Sequence, residues 1–191
     1  MDLENHFLQE SKKFGEILEK SSATNLKKLT EMFEQVYECI FIKKRKIAII
    51  GNGGSAAEAT HIASEFVSKC IIDHEPLPVL SFTDSLSSIT AIGNDYGFDQ
   101  IFARQVRAFL TKGDMLICLS TSGKSTNILK AMEIAVKQEV HTYLWTGNHN
   151  LNLKDIITLE VSSIETPRIQ EVHLFWGHQM AEYIERRINE I

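Results

Sequence analysis

Lys46-Ile47-Ala48-Ile49-Ile50-Gly51-Asn52-Gly53-Gly54-Ser55 is the stretch that decides the fold. Its apolar run is short, continuous and stopped by glycines, which is how a strand buried on both faces of a parallel sheet reads. A helix is predicted directly after it, over residues 55–68. The same alternation then recurs: a strand over 78–82, helices over 86–92 and 98–110, a strand over 115–119 and a helix over 125–138. Strands over 141–145 and 156–161 and a long helix over 167–187 complete it. Five strands alternating with helices predict an α/β fold, a doubly wound five-stranded parallel sheet with helices on both faces. Ligands of such sheets bind outside the carboxyl ends of the strands, so the loops that follow the strands carry the chemistry.

Upstream, residues 3–41 hold no proline and one glycine, and Leu26, Leu29, Met32, Phe33, Val36 and Ile40 recur at helical spacing. Two helices separated near Ser21-Ser22 are predicted, an N-terminal helical hairpin over 1–43 that packs on the domain or in an assembly. Residues 44–191 form the sheet domain. A chain of 191 residues with 43% hydrophobic side chains buries roughly 70% of its unfolded surface. The net charge is −5 and the one basic run is Lys43-Lys44-Arg45-Lys46, so no nucleic-acid partner is expected. The start is polar and acidic, unlike a signal or transit peptide, and no apolar run approaches a membrane span. Cys39, Cys70 and Cys118 are odd in number and lack zinc-type spacing, which points to a reduced, cytoplasmic protein whose thiols act as small hydrophobes.

Two loops draw attention. In Gly51-Asn52-Gly53-Gly54-Ser55 the glycines let backbone N–H groups approach an anion at a helix N-terminus; a tight turn capped by Ser55 is the plainer alternative. Gly51, Gly53 and Ala56 also fit a dinucleotide fingerprint, but the acidic residue that should close the second strand is absent. Asp73 and Glu75 precede that strand and Asp84 lies 33 residues beyond Gly51, so no nucleotide cofactor is expected. Ser120-Thr121-Ser122-Gly123-Lys124-Ser125 ends like a P-loop, yet the first P-loop glycine would fall on Cys118, inside a strand. Hydroxyls at a helix start suit a phosphate monoester, or form an ordinary serine-rich cap. Two such cradles on one sheet suggest a phosphorylated, hydroxyl-rich small ligand, most simply a sugar phosphate.

His61 and Glu65 stand four apart on the helix after the first loop. Imidazole plus carboxylate suits a divalent metal, and a solvated surface pair reads the same way. Gln170, Glu171, His173 and His178 lie on the last helix, where spacing does not select His178 over His173. Gln170 and His178 are about 12 Å apart in rise and about 80° apart in direction. One compact ion would reach both only from a bent helix start or in a site shared between subunits.

Taken in order, four motifs resemble the sugar isomerase (SIS) domain family, and within it the heptose-phosphate isomerases. They are the glycine loop running through Ala56-Ala57 to His61 and Glu65, then Ala91-Ile92-Gly93-Asn94-Asp95-Tyr96-Gly97-Phe98, then Ser120-Thr121-Ser122-Gly123 with Ser125, and finally Arg168-Ile169-Gln170-Glu171 with His178. The resemblance covers nearly the whole chain. It implies an aldose–ketose isomerase that converts sedoheptulose 7-phosphate to D-glycero-D-manno-heptose 7-phosphate through an enediol, the first step of nucleotide-activated heptose synthesis. It also implies a homotetramer with subunit-shared active sites and one zinc per subunit. By the same resemblance Asn52, Gly53, Gly54, Glu65, Asn94, Asp95, Ser120, Thr121, Ser122, Ser125 and Gln170 bind substrate. His61, Glu65, Gln170 and His178 would be the zinc ligands, with Glu65 the base at carbon and His178 the acid/base relay. Three positions depart from the family pattern: Lys69 for its usual arginine, Thr60 for a common glutamine, and the 146–150 loop, which lacks a glycine pair. The alternative is a non-catalytic protein of the same architecture, resembling the DnaA initiator-associating protein, which shares the Arg-Ile-Gln-Glu run but has no histidine matching His178.

Overall fold

The computed structural model describes residues 2–151 and 153–189. Strands β1 (Ile47–Gly51), β2 (Val79–Ser81), β3 (Met115–Leu119), β4 (His141–Gly147) and β5 (Ile157–Val161) form one sheet in the order β2-β1-β3-β4-β5. Every neighbouring pair is parallel, with Ile47 facing both Val79 and Met115. Helices α1 (Leu3–Tyr37), α2 (Gly54–Val67), α3 (Leu86–Tyr96), α4 (Ile101–Phe109), α5 (Thr126–Lys137) and α6 (Thr166–Ile188) cover it. Because side chains alternate along a strand, β1 feeds two cores. Ile47 and Ile49 pack with α1, α2 and α6, while Ala48 and Ile50 pack with α4 and α5. The doubly wound parallel sheet is as the alternating pattern predicts. Strand order reverses between β1 and β3, and this crevice is where such sheets bind ligands.

The helical hairpin expected over 1–43 does not form. Instead α1 is a single 35-residue helix, about 52 Å long, that runs into a π-helical turn at Glu38–Ile42. The polar residues that suggested a break do a different job. Ser21 and Asn25 are buried because they dock α1 onto β5, the strand at the sheet's edge. Asn25 Nδ2 donates to Glu160 O at 2.9 Å, and its Oδ1 accepts from Glu160 N at 3.2 Å. Ser162 N donates to Ser21 Oγ at 2.9 Å, and Lys28 Nζ to Thr158 O at 2.9 Å. Edge-strand groups that would otherwise lack partners are thereby satisfied, and the edge is closed to further strand pairing.

Two surfaces stay uncovered in the single chain. Leu3, Phe7 and Leu8, at the start of α1, are 60–73% exposed. Helix α3, which carries Asn94 and Asp95, buries no residue at all. Among the described residues, no helix is long and apolar enough to cross a membrane.

Candidate active site

The loops after β1 and β3 meet across the crevice. Asn52 and Asn127 exchange two amide hydrogen bonds, at 2.9 and 2.8 Å, tying the glycine loop to the first turn of α5. Neither helix start is capped by a side chain. Gly53 precedes α2, and the Ser125 hydroxyl at the head of α5 makes no capping bond, lying instead 3.4 Å from Ser120 Oγ. The plainer cap readings of Ser55 and Ser125 therefore fail, and two sets of helix N–H groups with their hydroxyls stay available to an anion. Gly53 (φ 55°) and Gly123 (φ 64°) occupy left-handed backbone that other residues adopt at a cost. Asn127 escaped the sequence reading because its role depends on a partner 75 residues away.

Farther along α2, His61 and Glu65 meet His178 of α6. One ligand atom from each of the three lies within 4.8 Å of the others. His61 Nε2 is 2.9 Å from His178 Nε2 and 3.5 Å from Glu65 Oε1. Ligands about 2.0–2.1 Å from a tetrahedral zinc ion stand roughly 3.3 Å apart, so the trio fits zinc or a similar divalent ion. What brings the helices this close is Gly177, where a Cβ would come within 2.5 Å of Ile62. Cys70 adds a weak tie, its Sγ 4.0 Å from His178 O; burial pushes this thiol up to about 11, so it remains a donor.

The choice between the two α6 histidines is made by burial. His173 is fully buried against Trp145 and Trp176, with ring centroids 5.9 and 6.2 Å away. Neither of its ring nitrogens has an aligned hydrogen-bond partner, and burial drives its pKa down to about 3. It is a neutral core histidine, whereas His178 faces His61. Gln170, two turns earlier on α6, points its Nε2 at Ser55 Oγ (3.5 Å) and packs on Gly54. It makes no hydrogen bond to the His61, Glu65 and His178 trio. Glu58, which the sequence reading passed over, is buried one turn before His61 with Oε2 unpartnered. Burial raises its pKa to about 7, against a hydrogen bond from Ser55.

Asn94 and Asp95 are exposed and hydrogen-bond only each other among the described residues, at 2.7 Å. Lys69 is exposed just beyond α2. Thr60 Oγ1 donates to Asp84 Oδ1 at 2.6 Å. The 146–150 loop folds back on the serine loop: His149 Nε2 is 3.0 Å from Thr121 O, and Leu151 packs against Gly123.

A family model of the SIS domain matches residues 7–147. This chain belongs to the SIS domain family. Phosphoheptose isomerase of Burkholderia pseudomallei is 47% identical over 145 residues, which are 75% of this chain and 74% of that protein. The enzyme of that name from a Nitratiruptor species is 45% identical over 144 residues, covering 74% of this chain and 77% of its own. Among solved structures, phosphoheptose isomerase GmhA from Neisseria gonorrhoeae superposes with a TM-score of 0.87 at 32% identity, spanning 96% of this chain and 98% of that one. With relatives this similar, the SIS-domain chain is a sugar-phosphate isomerase, an enzyme of the aldose–ketose class.

Proposed function

We propose that the chain interconverts sedoheptulose 7-phosphate and D-glycero-D-manno-heptose 7-phosphate, an early step toward nucleotide-activated heptoses. One observation carries this reading: an acid and two imidazoles from separate helices converge beside two anion cradles. Moving a proton between adjacent carbons requires a base at carbon, a relay between the two oxygens and stabilisation of the developing oxyanion. Glu65 takes the proton from carbon with Oε2, the oxygen not turned toward His61. His178 moves the proton between the two substrate oxygens. Ser120, Thr121, Ser122 and Ser125, with Asn52, Gly53 and Gly54, hold the phosphate. That grip orients the reacting end, a contribution worth several kcal/mol of barrier. Gln170 binds near the glycine loop, and Asn94 and Asp95 complete the sugar contacts.

His61, Glu65 and His178 would hold one zinc ion per subunit; Gln170, turned toward Ser55 and Gly54 within the single chain, would join them only in a site shared between subunits. Bound there, zinc would act as a Lewis acid on the carbonyl oxygen. The assembly is a homotetramer with sites shared between subunits. Leu3, Phe7 and Leu8 of α1 and the unburied helix α3 are surfaces that a second copy would cover. The absence of disulfides among its three cysteines agrees with a cytoplasmic enzyme.

The test is conversion of sedoheptulose 7-phosphate to the aldose, assayed before and after chelation and after zinc is restored. Turnover that chelator abolishes and zinc recovers is the expected result. No turnover by zinc-restored protein would refute the reading and point to another sugar phosphate as the substrate.

A further inference from the structure

Helix α2 ends without a glycine or a capping side chain. The next segment turns so that three successive backbone N–H groups converge on one carboxylate. Cys70 N donates to Glu185 Oε1 at 2.6 Å, and Ile71 N and Ile72 N each donate to Oε2 at 2.9 Å. Glu185 is 1% exposed. A carboxylate so buried is tolerated only when it is fully engaged, and three charge-assisted bonds engage it. The buried His74 ring lies near as well, its Nε2 3.4 Å from Glu185 Oε1 but not aligned for a hydrogen bond.

Placement turns this clamp into more than a loop anchor. Glu185 follows His178 by seven residues on α6, two turns along the same helix face. The gripped segment begins five residues after Glu65. The carboxylate therefore joins the downstream ends of the two helices that bring Glu65 and His178 together. Upstream, the same helices touch at Gly177 and Ile62. With a contact on each side, the facing pair has little room to slide or spread.

We propose that Glu185 is a positioning residue: by gripping Cys70, Ile71 and Ile72 it fixes the separation of Glu65 and His178. The proposal rests on the reading of His61, Glu65 and His178 as the ion-holding chemical site. It assigns Glu185 no contact with substrate.

The decisive variant is Glu185→Gln, which keeps the shape but turns an amide NH2 toward N–H donors. A displacement of about 1 Å at a reacting group costs up to about 100-fold in rate. Glu185→Gln is therefore expected to lower kcat at least tenfold and to leave KM for sedoheptulose 7-phosphate within twofold. Its affinity for Co2+, read from the visible absorption of the bound ion, should fall at least tenfold. A folded variant, checked by circular dichroism, that keeps wild-type kcat and Co2+ affinity overturns the proposal. Should the variant not fold, hydrogen exchange on the unmodified protein decides. Co2+ should slow exchange at Cys70, Ile71 and Ile72, because coupling between two sites is reciprocal; unchanged exchange at those amides overturns the clamp. Wild-type protein that bound no Co2+ would instead refute the site reading, leaving the kcat and KM comparison to judge Glu185.

Discussion

Gly177→Ala probes how tightly the fold sets the chemistry. A Cβ at this position would lie 2.5 Å from both Ile62 Cδ1 and Cγ1 and 3.3 Å from Cγ2. Non-bonded carbons settle at about 3.5–4.0 Å, so α6 must retreat by roughly 1 Å unless Ile62 leaves its rotamer. A β-branched side chain in a helix has one strongly preferred rotamer, and Ile62 is buried, so the retreat is the expected response. Overpacking costs about 1–3 kcal/mol, offset by about 1 kcal/mol because alanine favours helix more than glycine. The net loss of stability is at most about 2 kcal/mol, a fall in Tm of under about 8 °C for a chain of this size. Function should suffer far more, since residue 178 is the next along the helix and a 1 Å misplacement costs about 100-fold. The assay is kcat/KM beside a thermal melt, with the double variant Gly177→Ala, Ile62→Ala as the control that makes room for the new methyl. A loss near 100-fold, of which the double variant recovers at least tenfold, is expected. Wild-type kcat/KM in Gly177→Ala, or no recovery in the double variant, would refute the reasoning.

Glu58→Gln should change the pH dependence of stability. Burial raises the Glu58 pKa from 4.5 to about 7, so the folded protein keeps a proton that the unfolded chain gives up. The associated stability is fully present below about pH 4.5 and is lost as pH rises through about 7, a total of up to ~3 kcal/mol. In urea titrations the variant should match the wild type near pH 4.5 and exceed it at pH 8; a gap independent of pH would contradict this. Asn25→Ala leaves Glu160 N–H and C=O without their partners and should cost roughly 2–4 kcal/mol of unfolding free energy. An Asn25→Ala protein as stable as the wild type would show that α1 does not secure the β5 edge.

What could be read in advance was whatever local pattern determines. Continuous apolar runs such as Ile47–Ile50 announce buried parallel strands because both faces are covered. Glycines and hydroxyls directly after β1 and β3 mark the crevice because chain order alone places those loops together. The break expected near Ser21-Ser22 failed for a tertiary reason. Serine and asparagine disfavour helix interiors by competing for backbone groups, but here Ser21 and Asn25 bond the backbone of a distant edge strand. Asn127 and Glu185 were invisible for the same cause, since each takes its meaning from a partner on another element, and Glu58 owes its raised pKa to burial that only the packed fold creates. His173 and His178 are the same residue type on one helix, and only burial between two tryptophans separates a core imidazole from one that faces the site.

The central claim is that Glu65 removes a proton from carbon in a sugar phosphate held by the two loops. Incubation with sedoheptulose 7-phosphate in D2O, followed by proton NMR of the recovered aldose and ketose, measures that transfer directly. The account predicts deuterium at the two enediol carbons, C1 of the ketose and C2 of the aldose, for the zinc-loaded wild type, and none for a folded Glu65→Gln variant. Isomerisation by Glu65→Gln at the wild-type rate, with the same deuterium content, would contradict it.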